Sequence, residues 1–163
     1  MKSFFRANYL DASAIIKILV NEKDSSSVQD YFHNGRNCFR MTSVCFAEAL
    51  GVLKAKYFNR KDISEKGYLN RSYLLISLVR DKRILVDEIS LSDPKIFNEV
   101  ESVVKKYNID ISDAFQIVTI KKGRFSRFVD ESQSLLISAD SDLAKAARSE
   151  GVKVWVCTHE PIP

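Results

Sequence analysis

The chain is poor in the residues on which many catalytic and structural devices depend. Its three cysteines, Cys38, Cys45 and Cys157, cannot all pair, and none lies in a CxxC or Cys/His metal spacing. Free thiols suit a reducing compartment. Two histidines, His33 and His159, have no soft ligand near them in the sequence, which argues against a zinc site and against Ser-His-Asp catalysis with a supported base. Five glycines and three prolines form no linker, and no GxxxxGK[ST] or GxGxxG phosphate loop occurs. No apolar run approaches the roughly 20 residues of a membrane helix, because even the stretch 10–20 contains Asp11 and Lys17. The opening 1–6 does not read as a signal peptide. A cytoplasmic protein with no membrane partner is expected.

What is present is ordinary globular composition, 45% apolar and 28% charged over 163 residues, enough for one domain spanning 1–163 with a real core. The net charge of +4 and pI near 8.9 favour an acidic partner without identifying nucleic acid. Short apolar strands alternate with helical periodicity. Strands are predicted ending at Tyr9-Leu10 and at 38–41, 84–86, 135–137 and 152–156. Helices are predicted near 13–20, 25–33, 43–57, 64–80, 94–107, 111–122 and 140–149. Such alternation implies an α/β fold, a mainly parallel sheet of about five strands covered on both faces. Ser13, Ser43, Asp93-Pro94 and Asp110 stand where helix N-caps belong.

Acids cluster at the ends of these strands. Asp11 follows the first strand, and Glu48 lies in the helix after the second. Asp113 opens the helix that begins near Asp110, and Asp140 follows the fourth strand. The carboxyl ends of parallel strands surround one crevice, so four carboxylates on separate elements are expected to converge. Mutual repulsion makes that costly without cations, and hard oxygen donors without His or Cys select Mg²⁺ or Mn²⁺. Each acid also has a plain structural reading. Asp11 can cap a helix as well as Ser13 can, and Glu48 can face solvent. Asp110 is read mainly as a cap, with Asp113 three residues on. Either Asp140 or Asp142 can cap the helix after Ser141.

Four segments together resemble the motifs of PIN domains: Tyr9-Leu10-Asp11-Ala12-Ser13, 42–50 (TSVCFAEAL), 109–115 (IDISDAF) and 137–144 (ISADSDLA). The resemblance spans nearly the whole chain. It implies a three-layer α/β/α domain and an acidic site of Asp11, Glu48, Asp113 and Asp140, with Asp142 as an additional metal ligand. It further implies a Mg²⁺- or Mn²⁺-dependent ribonuclease, of the kind that serves as the toxin of a toxin–antitoxin pair. Ser13, Asp110 and Ser138 are expected to support the acidic residues by hydrogen bonds. The alternative is a non-catalytic PIN-like protein that binds RNA or a partner. Haloacid-dehalogenase-like and receiver-like readings fail, because Asp11-Ala12-Ser13 has neither the Asp-x-Asp pattern nor an adjacent acidic pair.

The segment 121–134 is longer than the usual link in such domains. Lys121, Lys122, Arg124 and Arg127 alternate there with Phe125 and Phe128, a composition suited to single-stranded RNA; the segment reads either as a loop across the cleft mouth that holds RNA or as a solvated basic loop anchored to the body by its two Phe. Tyr31, Phe32, Leu53, Tyr57, Phe58, Tyr68, Tyr73, Leu74 and Leu75 exceed one helical core face, so the set either packs on the sheet or in part meets a second copy or an antitoxin.

Overall fold

A computed structural model describes residues 7–34, 38–126 and 134–163. Strand β1 (Ala7–Leu10) leads into α1 (Ala12–Leu19) and α2 (Ser26–Asn34), and β2 (Cys38–Met41) into α3 (Ser43–Phe58) and α4 (Glu65–Arg80). Strand β3 (Ile84–Val86) is followed by α5 (Pro94–Tyr107) and α6 (Ile111–Lys122), and β4 (Ser134–Ser138) by α7 (Ser141–Ser149) and β5 (Lys153–Val156). The sheet is five-stranded in the order β3-β2-β1-β4-β5, with every neighbouring pair parallel. The strand order reverses at β1, which places a crevice at its carboxyl end.

Period-2 alternation divides the strands between two cores. Leu10, Leu135 and Ile137 turn to one face and pack with residues of α1, α2, α3 and α4. Ala7, Tyr9 and Leu136 turn to the other, against α5, α6 and α7. The α/β/α layering therefore follows from alternating side chains on four-residue and five-residue strands. No helix among the described residues is long and apolar enough to cross a membrane.

Two caps differ from the sequence expectation. Asp11, not Ser13, caps α1, and Thr42, not Ser43, caps α3, its hydroxyl accepting from the Cys45 amide at 3.1 Å. In both cases the cap is the earlier polar residue, because it is the one that keeps the extended backbone of the strand exit. Asp93 and Asp110 cap α5 and α6 as expected. Of the aromatic and aliphatic set offered for a partner, Phe32, Leu53 and Leu75 are core residues, whereas Phe58, Tyr73 and Leu74 are exposed.

Candidate active site

Asp11 stands at the exit of β1, its amide donating to the Ile137 carbonyl at 3.0 Å as the last rung between β1 and β4. Its side chain is buried and fully engaged. Oδ1 accepts from the Ala12 amide at 2.7 Å, and Oδ2 accepts from the Ser13 hydroxyl at 2.5 Å and the Ser138 hydroxyl at 2.9 Å. These bonds favour the carboxylate, yet burial outweighs them and pushes its pKa above the usual carboxylate value. Ser13 and Ser138 also hold the next turn: Ser13 Oγ accepts from the Ala139 amide and Ser138 Oγ from the Asp140 amide, each at 2.9 Å. Asp11 and the turn carrying Asp140 are therefore one hydrogen-bonded unit.

The other acids arrive from separate elements. Glu48, in the second turn of α3, is exposed, but partial desolvation and then the charges of Asp11, Asp110 and Asp140 raise its pKa; a hydrogen bond from Ser112 opposes the rise. Asp113, in the first turn of α6, is pushed up to about 8, first by desolvation and then by Asp11, Asp110, Asp140 and Glu48. Asp113 thus feels the charge of Asp11, Asp110, Asp140 and Glu48. Asp110 does double duty, since its Oδ1 also accepts from the Asp113 amide at 3.2 Å and the Ser112 hydroxyl at 2.7 Å. Asp140 caps α7 through the Asp142 and Leu143 amides at 2.7 and 3.0 Å. Asp142 turns away: its side chain is 83% exposed and pairs with Lys145, and it is not among the charges acting on Asp113 or Glu48.

The donor chemistry fits a hard divalent cation. None of Asp11, Glu48, Asp110, Asp113 or Asp140 has an ion-pair partner among the described residues, so no described lysine or arginine compensates their charge. Among the described residues no three acidic, His or Cys side chains close into a direct metal cage. Mg²⁺ is suited to such a site, because it keeps several waters and takes few protein carboxylates.

Of the basic segment the structure describes 121–126 and Ser134. The segment leaves α6 at Lys121, eight residues or about 12 Å along the helix from Asp113. It returns at Ser134, which pairs with Ala7 at the entry end of the sheet, whereas Asp140 follows the exit end of β4. The cause is directional: a helix that starts over the cleft carries its last residues away from it. Lys121 is bound to Glu150 at 2.5 Å and Lys122 is paired with Glu99, while Arg124 is exposed. Arg127 lies outside the described residues.

Two buried groups escape sequence reasoning. Asp87 follows β3 as Asp11 follows β1, but it accepts the Tyr9 hydroxyl at 2.6 Å in the α5/α6 core, and the strand-end position is its only signal. Gln116 is the one amide in the buried run Ala114–Ile120, and its Nε2 donates to the Leu10 carbonyl at 3.2 Å.

Comparison with family profiles matches the chain to the PIN domain over residues 9–149. In overall structure it is similar to the crystal structure of PAE2754 from Pyrobaculum aerophilum, at 15% identity and a TM-score of 0.58, covering 91% of this chain and 90% of that one. Among curated proteins none matches the chain.

Proposed function

Since the chain belongs to the PIN domain family, whose members are generally nucleases, we propose that it is a divalent-metal-dependent endoribonuclease cutting single-stranded or loop RNA. The observation that carries this reading is the placement of acids at strand exits and helix starts, Asp11 and Asp140 joined through Ser13 and Ser138 and Asp113 in the first turn of α6, with the Asp113 carboxyl pushed up to about 8 by burial and then by the neighbouring carboxylates. A purely structural site has no use for such repulsion. Asp11, Asp113 and Asp140, together with Glu48, are the residues that would hold Mg²⁺ or Mn²⁺, directly or through water. A divalent ion there supplies Lewis acidity toward the phosphodiester and toward water.

The chain's own part is positional and protonic. Asp11 is immobilised by Ser13 and Ser138, so it offers a fixed charge at the floor of the cleft. Glu48 is solvent-accessible and burial and neighbouring carboxylates raise its pKa above the ordinary value, so it is the residue suited to orient water and accept its proton. Asp110 holds Asp113 through the first turn of α6. A toxin role with an antitoxin, or a homodimer, extends this reading; it is supported by the exposed apolar residues Leu69, Tyr73 and Ile76 of α4.

The purified protein should cleave single-stranded RNA only with Mg²⁺ or Mn²⁺, and Asp113→Asn should abolish cleavage while the fold persists. Cleavage surviving excess chelator overturns the mechanism. Metal-independent RNA binding without cleavage would favour the non-catalytic alternative.

A further inference from the structure

We infer that Gln116 is a positioning residue that sets the separation between Asp11 and Asp113, an inference that rests on the nuclease reading above. Helix α6 is buried continuously from Ala114 to Ile120, and its only polar side chains there are Gln116 and Thr119. Thr119 is satisfied within the helix, its hydroxyl donating to the Phe115 carbonyl at 2.8 Å. Gln116 instead reaches out of the helix, across 106 positions of sequence, to the Leu10 carbonyl.

Both ends of that bond matter. Leu10 is the last residue of β1 and is covalently joined to Asp11. Gln116 lies three residues after Asp113, a spacing that puts both on one helix face. One hydrogen bond thus ties the backbone beside Asp11 to the turn below Asp113. Acids on neighbouring elements repel when ionised, and the amide, bonded across to the last residue of β1, opposes any widening between α6 and β1. Packing alone does not account for a glutamine here. Its Oε1 is buried with no partner among the described residues, a cost that methionine or leucine would avoid.

The test is Gln116→Met, which keeps the volume and deletes the donor, compared with Ile120→Val as a packing control on the same helix. Mn²⁺ binding by calorimetry should weaken about 10–100-fold in Q116M, as loss of an outer-shell support does, and be unchanged in I120V. With RNA as substrate, kcat should fall while KM holds. Metal-free crystal structures should show the start of α6 moved away from β1 in Q116M only. Wild-type Mn²⁺ affinity in Q116M, or an unmoved α6, overturns the inference. If the wild-type protein binds no Mn²⁺, the nuclease reading fails on its own, and the α6 position in the metal-free structures still decides the role of Gln116. Should Q116M not fold, Q116N, one methylene too short to reach Leu10, is read by the same measurements.

Discussion

The Ser138 hydroxyl donates to Oδ2 of Asp11 at 2.9 Å while its oxygen accepts from the amide of Asp140 at 2.9 Å. One side chain therefore fixes the floor carboxylate and the turn that presents a second acid. Ser138→Ala leaves both Asp11 Oδ2 and the Asp140 amide short of a partner in a buried setting. Denaturant unfolding should show a loss of about 1–3 kcal/mol. The rise in melting temperature on adding Mg²⁺ or Mn²⁺ should shrink with it, because less of the ligand-competent geometry survives. Full retention of both stability and metal response would show that Ser13 alone suffices to hold Asp11.

Asp113, Glu48 and Asp11 are all raised above their ordinary values, so all three push the pH dependence one way. A carboxyl whose pKa is higher folded than unfolded stabilises the fold below its unfolded value, and that stability is lost as pH rises through the folded value. For Asp113 the window runs from the ordinary 3.8 to about 8. The metal-free protein should therefore lose melting temperature between pH 5 and pH 8.5. Divalent metal should remove most of that slope, since it binds the ionised cluster. Scanning calorimetry with chelator and with Mn²⁺ across that range measures both. A metal-free curve that rises through the window would contradict the convergence of these acids.

How far the chain could be read without its structure depended on how local each signal was. The positions of Asp11, Glu48, Asp113 and Asp140 near strand exits and helix starts were legible because each sits at a fixed offset from such an end. The two-faced core was legible from the alternation of short apolar strands with helices, which covers both faces of a parallel sheet. Cap choice between Asp11 and Ser13, or Thr42 and Ser43, was not, since adjacent polar residues are equally competent and backbone angles decide. Asp87 and Gln116 were hidden because their partners, Tyr9 and Leu10, are 78 and 106 residues away. For the basic segment, sequence neighbours carrying Asp113 and Asp140 say little about position, since the direction of α6 takes Lys121 and Lys122 away from Asp113.

Asp140 and Asp142 are separable by charge-neutral substitution. Asparagine caps helices about as well as aspartate, so Asp140→Asn keeps α7 while removing one charge that raises Asp113 and Glu48. The metal-free protein should be as stable as wild type or more so, and its metal-induced stabilisation should fall. Asp142→Asn touches only an exposed pair with Lys145, and both quantities should stay within about 0.5 kcal/mol of wild type. Differential scanning fluorimetry with and without Mn²⁺ distinguishes them. Loss of metal response in the Asp142 variant alone would reverse the assignment.

Lys121 is committed to the fold. Its ammonium, with Lys106 and the Tyr107 hydroxyl, surrounds the well-shielded Glu150 at the end of α7, and together they hold that carboxyl down to about 2. A lowered carboxyl contributes stability that is present above its unfolded pKa and lost as pH falls through the folded one. Lys121→Ala should therefore destabilise at pH 7, by about 1 kcal/mol or less because Lys106 and Tyr107 remain, and the difference should narrow toward pH 2. RNA binding should respond little. A lysine on a phosphate of single-stranded RNA contributes about 0.7 to the slope of log affinity against log salt, and that change should be absent. Filter binding of a single-stranded oligonucleotide over a salt series, beside urea melts at pH 7 and pH 3, tests both halves. A reduced salt slope with unchanged stability would mean that Lys121 leaves Glu150 to grip the substrate.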